Sequence, residues 1–213
     1  MRPPNSTRTY GQYCGLARAL DIVGERWNLL IVRELLIRPA RYSDLHAALP
    51  GIATNLLAER LRALEGAGVI RRSLEPGTRG VSYRLTSWGE ELRGTVESLM
   101  TWSAPLMVSG PQHEETFRTH WLVVALRALM QDKRTETPTV IGVEVDGTLV
   151  AVRVDQTGTH AMLEPDEYPA TVFHGEPATV LGLASGQLTV QQATEIGELR
   201  GDTLELAAVF SRG

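Results

Sequence analysis

The sequence predicts an α+β chain in two parts, a helical half closed by a β-hairpin and a half in which strands and helices alternate. Three stretches carry that reading. Arg41–Arg72 (RYSDLHAALPGIATNLLAERLRALEGAGVIRR) breaks an amphipathic run at Pro50-Gly51 and restarts it with a polar first turn. Glu75-Pro76-Gly77-Thr78-Arg79-Gly80 is a turn-rich tip between two strand-like segments. Asp146-Gly147, between two apolar runs, is a strong two-residue hairpin signal.

Taken in order, a first helix runs from about Gly15 to Val23, stopped by Gly24, with Leu16, Leu20 and Val23 on one face. Trp27, Leu30, Ile31 and Leu35 set a second helix, ended by Arg38-Pro39. Ser43 is a natural N-cap for a short third helix carrying Leu45, Ala48 and Leu49. The fourth places Leu57, Leu61 and Leu64 at i, i+4 and i+7, a buried stripe that turns residues 55, 58, 59 and 62 outward. Two strands follow, Val69–Leu74 and Val81–Leu85, and Thr86 caps a long helix carrying Leu92, Val96, Leu99 and Leu106. Pro105 kinks or ends that helix. Ser109-Gly110-Pro111 is the expected boundary, giving domains 1–110 and 111–213.

Beyond it, Phe117, Trp121, Val124, Ala125 and Ala128 mark an amphipathic helix. Val140–Val145 and Leu149–Val154 form the second hairpin, with further strands near His160–Glu164 and Ala170–His174. Pro177 at the first position and Gly186 past the end bound a helix. Thr189 with Gln192, and Asp202 with Glu205, fit capping boxes that open two more.

The 213 residues, 43% hydrophobic and 22% charged, suit one or two globular domains. No apolar run approaches the ~20 residues that cross a bilayer, and residues 1–13 lack the apolar core of a secretory signal. The single cysteine, Cys14, excludes an internal disulfide framework and suits a reducing compartment, so a cytoplasmic protein without membrane contact is expected. Residues 1–110 carry a net charge of +4 and residues 111–213 of −8, which suggests different tasks for the halves. No Gly-x-Ser-x-Gly elbow, phosphate loop or dinucleotide fingerprint is present. His113 and His120 have no third ligand beside them. Neither an enzyme, a cofactor nor a metal is expected.

Helix, helix, helix, Pro-Gly turn, helix, hairpin, helix is the order of a winged helix-turn-helix, which explains the polar restart. A recognition helix presents its first turn to base edges while neighbouring elements hold phosphates. Thr54 and Asn55 become the base readers, Asn pairing best with adenine, with Ala58 on the same outward side. Arg60 and Arg62 lie nearer the DNA backbone, Arg79 sits at the wing tip, and Arg38, Arg41 and Ser43 suit phosphate positioning. A winged helix that binds only protein remains the alternative.

A series of separated motifs resembles the HxlR family over about residues 10–108. In order they are Cys14-Gly15-Leu16, Asp21-Ile22-Val23-Gly24, Arg26-Trp27, Leu35-Leu36, Arg41-Tyr42-Ser43-Asp44-Leu45, Gly51-Ile52, Leu61-Arg62-Ala63-Leu64-Glu65, Gly68-Val69-Ile70 and Tyr83-Arg84-Leu85-Thr86-Ser87-Trp88-Gly89. The chain departs from that family at Arg38-Pro39-Ala40, where a Gly is common, and at Ala53, where a Ser usually caps the recognition helix. The resemblance implies a bacterial transcription regulator, a homodimer on double-stranded operator DNA. The stripe Leu92–Leu99 with the first helix is the place expected to join two copies, and two recognition helices then read half-sites about 34–36 Å apart. Some members of this family sense oxidants through a Cys at the place of Cys14; a helix N-terminus lowers a thiol's pKa, while a small apolar residue in the dimer interface is the plainer alternative.

The segment Ala170-Thr171-Val172-Phe173-His174-Gly175-Glu176-Pro177, with Gly186-Gln187-Leu188-Thr189 and Gly197-Glu198-Leu199-Arg200-Gly201-Asp202, resembles the sterol carrier protein superfamily. That resemblance implies a small α+β sterol-carrier-like domain enclosing an apolar cavity. Trp121, Met162, Val172, Leu181 and Leu188 are its candidate liners, and a small apolar ligand its expected partner. The leading expectation is a ligand-responsive repressor. Thiol regulation through Cys14, and a carrier or enzyme whose winged helix binds protein, stand beside it.

Overall fold

In the computed structural model, which describes residues 9–74, 80–107 and 115–211, the chain divides into two units, Met1–Val96 and Glu97–Gly213. The first begins with α1 (Gly15–Val23), α2 (Asn28–Ile37), the two-residue β1 (Ala40–Arg41), α3 (Tyr42–Ala48) and α4 (Thr54–Gly66). It continues through the hairpin β2 (Ile70–Leu74) and β3 (Val81–Leu85), a single turn α5 (Ser87–Glu90), and the start of α6 (Leu92–Ser103). The sheet order is β1-β3-β2, antiparallel throughout. Leu57, Leu61 and Leu64, like Ile31, Leu45, Leu49 and Ile70, are almost wholly removed from solvent.

Two local expectations are corrected, the start of α3 and the single helix after Thr86. α3 starts at Tyr42, with Arg41 rather than Ser43 at the cap position, because the Asp44 carboxylate accepts the Arg41 backbone N–H at 3.0 Å and closes the first turn. α1 buries Ala17 and Val23 but leaves Leu16 68% and Leu20 38% exposed. The long helix expected after Thr86 is two helices: Thr86 accepts the Gly89 N–H, α5 ends at Glu90, and α6 starts afresh at Leu92. A 3₁₀ turn, Ala104–Met107, takes over at Pro105. The division between the units falls inside α6, and the expected boundary Ser109-Gly110-Pro111 lies outside the described residues, as does His113.

The second unit takes in the rest of α6 and the Ala104–Met107 turn, followed by a 3₁₀ turn, Thr119–Trp121, running into α7 (Leu122–Leu129). Then come β4 (Thr139–Val145), β5 (Thr148–Asp155), β6 (Gly158–Leu163), β7 (Val172–His174), α8 (Pro177–Ser185), α9 (Val190–Ile196), β8 (Glu198–Arg200) and α10 (Thr203–Phe210). The sheet order is β6-β5-β4-β7-β8; β7 runs parallel to β4 and the other pairs are antiparallel. Asp146 (φ 50) and Gly147 (φ 71) form the expected tight turn. Thr189 and Gln192 make the expected reciprocal cap. Asp202 accepts the Leu204 N–H, so the α10 cap does not need Glu205.

Alternation along β4 and β5 puts Ile141, Val143, Val145, Val150, Val152 and Val154 on one face together with Phe173 of β7, all 0–1% exposed. α7 packs on β5 and β6, and α10 on β4 and β5, so this is the face under the helices. The opposite face shows Val140, Arg153 and Met162 to solvent. Gly142 is required there, since a Cβ would stand 2.8 Å from the Leu149 side chain and 2.9 Å from Val172.

Candidate nucleic-acid interface

α4 gives its apolar stripe wholly to the core, which fixes what it can present. Thr54 and Asn55 form its exposed first turn, behind Ala53 at the cap. Ala53 offers no side-chain oxygen to the first N–H groups, so they remain open to an acceptor from outside the helix. Tyr42 of α3 donates its hydroxyl to the Thr54 carbonyl at 2.6 Å and ties the two helices at this point. Ala58 is half-buried, and the exposed Arg62 folds back so that Nε donates to the Ala58 carbonyl at 3.1 Å.

Arg38, Arg41 and Ser43, the residues expected to position phosphates, are exposed. Arg41 lies on β1 opposite Ser82 of β3, and a Cβ on Gly80 would meet its guanidinium carbon at 3.4 Å. The Arg41 charge therefore rests beside Gly80, at the loop end of the hairpin. Arg79, expected at the wing tip, lies outside the described residues.

Arg60 departs from expectation. Its side chain is only 15% exposed, with Nη2 3.1 Å from Glu25 and Nη1 3.2 Å from Glu59. Its guanidinium is held by carboxylates of its own chain, which a phosphate contact would have to displace.

Sequence reasoning passed over Arg71. It is exposed on β2, opposite Arg84 of β3, on the hairpin side that also carries Ser73, Ser82 and Arg41 by register. The signal was available: Ile70 and Leu85 face the core, so alternation turns Arg71 and Arg84 to the other side. Arg72, one step along, is paired with Glu65 at 3.0 Å and stacks over Tyr83.

Cys14 stands at the cap position of α1 and is exposed. The backbone N–H groups of Ala17 and then Leu16 stabilise its thiolate and hold its pKa below the ordinary thiol value. Tyr13 and Leu16 are exposed beside it. On α6 and the turn after it, Leu99, Trp102 and Leu106 are exposed as well, whereas Val96 is buried.

The five candidate ligand liners do not converge. Met162 and Val172 belong to one cross-strand row, Met162–Ala151–Gly142–Val172, on the sheet face away from the helices. Met162 is exposed and Val172 wholly buried. Trp121, Leu181 and Leu188 come from the helical layer and are half-buried; Trp121 sits edge-on to Phe117, and Leu188 lies over Gly182. Strand parity, overlooked when side chains are chosen by type, accounts for the split. Among the described residues no group of three metal-ligating side chains occurs, and no helix is long and apolar enough to cross a membrane.

The family model HxlR-like helix-turn-helix matches residues 22–109. The chain is similar to the uncharacterized HTH-type transcriptional regulator YvaP of Bacillus subtilis, 38% identical over 87 residues that cover 40% of this chain and 81% of that protein. It is also similar to the HTH-type transcriptional regulator YodB of the same organism, 34% identical over 86 residues, 40% of this chain and 77% of that one. The solved structure of the reduced form of YodB is 30% identical with a TM-score of 0.40, covering 47% of this chain and 100% of that one.

Proposed function

The chain belongs to the HxlR-like helix-turn-helix family of transcription regulators, and from that premise we propose that it is a dimeric repressor of double-stranded operator DNA. The observation that carries this reading is the exposed first turn of α4. Thr54 and Asn55 stand free of the core, and Arg38, Arg41 and Arg71 are exposed on the same unit. Base edges are read by the first turn and phosphates are held by the arginines. Leu16 and Leu20 of α1, with Tyr13 just before it, form an apolar surface suited to a second copy. The protein works in the cytoplasm, where such DNA is found.

Residues 111–213 act in this reading as a sterol-carrier-like sensor whose small apolar ligand alters operator affinity. Support comes from the mixed five-stranded sheet covered by helices on one side. A typical coupling of ~1–3 kcal/mol would change affinity about 5–150-fold.

The test is a mobility shift with the DNA upstream of the protein's own gene across a salt series. Binding that weakens steeply with salt supports the regulator. No shift at any salt would leave the winged helix as a protein-binding module and favour a carrier.

A second reading, control through Cys14, is favoured by that thiol's exposure and lowered pKa. It expects Cys14→Ser to keep DNA binding and lose any response to oxidant. A variant that still responds puts the sensor elsewhere.

A further inference from the structure

The corner between α1 and α2, Gly24-Glu25-Arg26-Trp27, reaches three other parts of the first unit. Gly24 hugs the end of α1 so closely that a Cβ would stand 2.5 Å from the Leu20 carbonyl oxygen. Asn28, buried to 1%, donates its side-chain amide to the Ile22 carbonyl at 2.8 Å and locks the corner to α1. Trp27 adopts a left-handed backbone, φ 82, that non-glycine residues rarely take. Its ring then extends towards the turn between α3 and α4, where it is the nearest group, at 3.9 Å, to a Cβ placed on Gly51. Arg26 stacks its guanidinium 5.4 Å from the centre of that ring. Glu25 completes the set by pairing with Arg60 on α4, 35 residues along the chain.

We propose that Glu25 and Arg60 are positioning residues for DNA recognition, an ion pair that sets the orientation in which α4 presents Thr54 and Asn55. This rests on the reading of α4 as the recognition helix. Arg60 lies on the second turn of α4, its side chain 15% exposed and its charge turned towards the α1–α2 corner. The Trp27 ring lies near the turn before α4 and Glu25 pairs with the helix itself, so one corner faces both the entry and the second turn of α4. Loss of the ion pair leaves the Leu57–Leu61–Leu64 stripe in place and removes the lateral restraint. Base contacts depend on orientation more steeply than phosphate contacts do, so specificity suffers first.

The test compares the full-length protein with Glu25→Gln, Arg60→Gln and the exchanged pair Glu25→Arg with Arg60→Glu. Each is titrated against a duplex of the DNA upstream of its own gene and a random-sequence duplex, across a salt series. Positioning predicts that Glu25→Gln weakens upstream binding about fivefold, the size of a partly shielded ion pair. Random-duplex binding and the salt slope stay as they were, and the exchanged pair recovers most of the loss. A direct phosphate role for Arg60 predicts the opposite sign at Glu25, because removing a competing carboxylate frees the cation and tightens binding to both duplexes. It also predicts a salt slope flatter by about one unit for Arg60→Gln. Either of those results overturns the proposal. Glu25 is 49% exposed, so its variant keeps the test informative should Arg60→Gln not fold. Failure of the wild type to bind either duplex is a different outcome, and sinks the DNA-binding reading together with this one.

Discussion

The sheet of the second unit and the first helix of the chain treat their apolar faces in opposite ways. β4, β5 and β7 bury Ile141, Val143, Val150, Val152 and Phe173 completely beneath helices of the same unit. α1 is equally amphipathic in sequence, yet buries only Ala17 and Val23 and leaves Leu16 and Leu20 in solvent. A face with partners within the chain acts through stability; a face without them acts through association. Exposed apolar residues that cluster on one element mark interaction surfaces more often than accidents of composition.

The comparison breaks most decisively at Phe173. Truncation to Ala empties a fully buried ring site beneath the helices and should destabilise the second unit by about 3–5 kcal/mol. Denaturant unfolding followed by hydrogen exchange of β4 and β7 would read it. A loss below about 1 kcal/mol would show that the layer collapses around the gap.

Leu16→Glu with Leu20→Glu should do the reverse, leaving unfolding of the chain nearly unchanged while converting a dimer to a monomer in sedimentation. Large destabilisation of the isolated chain would mean that α1 buries its face internally in solution.

Asn55→Ala is expected to cost about 1–3 kcal/mol on the operator and to spare random DNA, the signature of a lost base contact. Arg71→Gln should weaken binding to every sequence and flatten the salt slope by about one unit. Interchanged outcomes would exchange the roles assigned to these two exposed residues.

The smallest effect lies at the β5–β6 turn. The Thr157 hydroxyl and backbone N–H, with Arg153 adding less, hold the Asp155 carboxyl at about 2 rather than its usual 3.8. A depressed folded-state value stabilises above the unfolded-state pKa, and that contribution fades as pH falls from about 3.8 towards about 2. The protection factor of the Thr157 amide, whose N–H donates to Asp155 Oδ1 at 2.8 Å, should fall over that window in the wild type and change little in Asp155→Asn. The same acid response in both would place the sensitivity elsewhere.

Local signals predicted most of the elements because each needs only a few neighbours in sequence. The α4 stripe, the Asp146-Gly147 turn, the Pro177-to-Gly186 helix and the Thr189 cap are decided within one or two turns of chain. The elements passed over depend on distant partners. β1 is two residues long and exists because Ala40 and Arg41 pair with Tyr83 and Ser82. β8 exists because Leu199 pairs with Phe173. Neither carries enough pattern to announce itself.

The candidate site divides along the same line. Periodicity alone established that Thr54 and Asn55 face outward, since a 3.6-residue repeat allows Leu57, Leu61 and Leu64 only one side. Charge type alone could not separate Arg60 from Arg62 or Arg71, because a guanidinium reads the same whether it meets water or a carboxylate. Tertiary packing made that choice by bringing Glu25 to within 3.1 Å of Arg60 across 35 residues. It also set Met162 and Val172 on the sheet face opposite the helices, through a strand register that apolar composition does not encode.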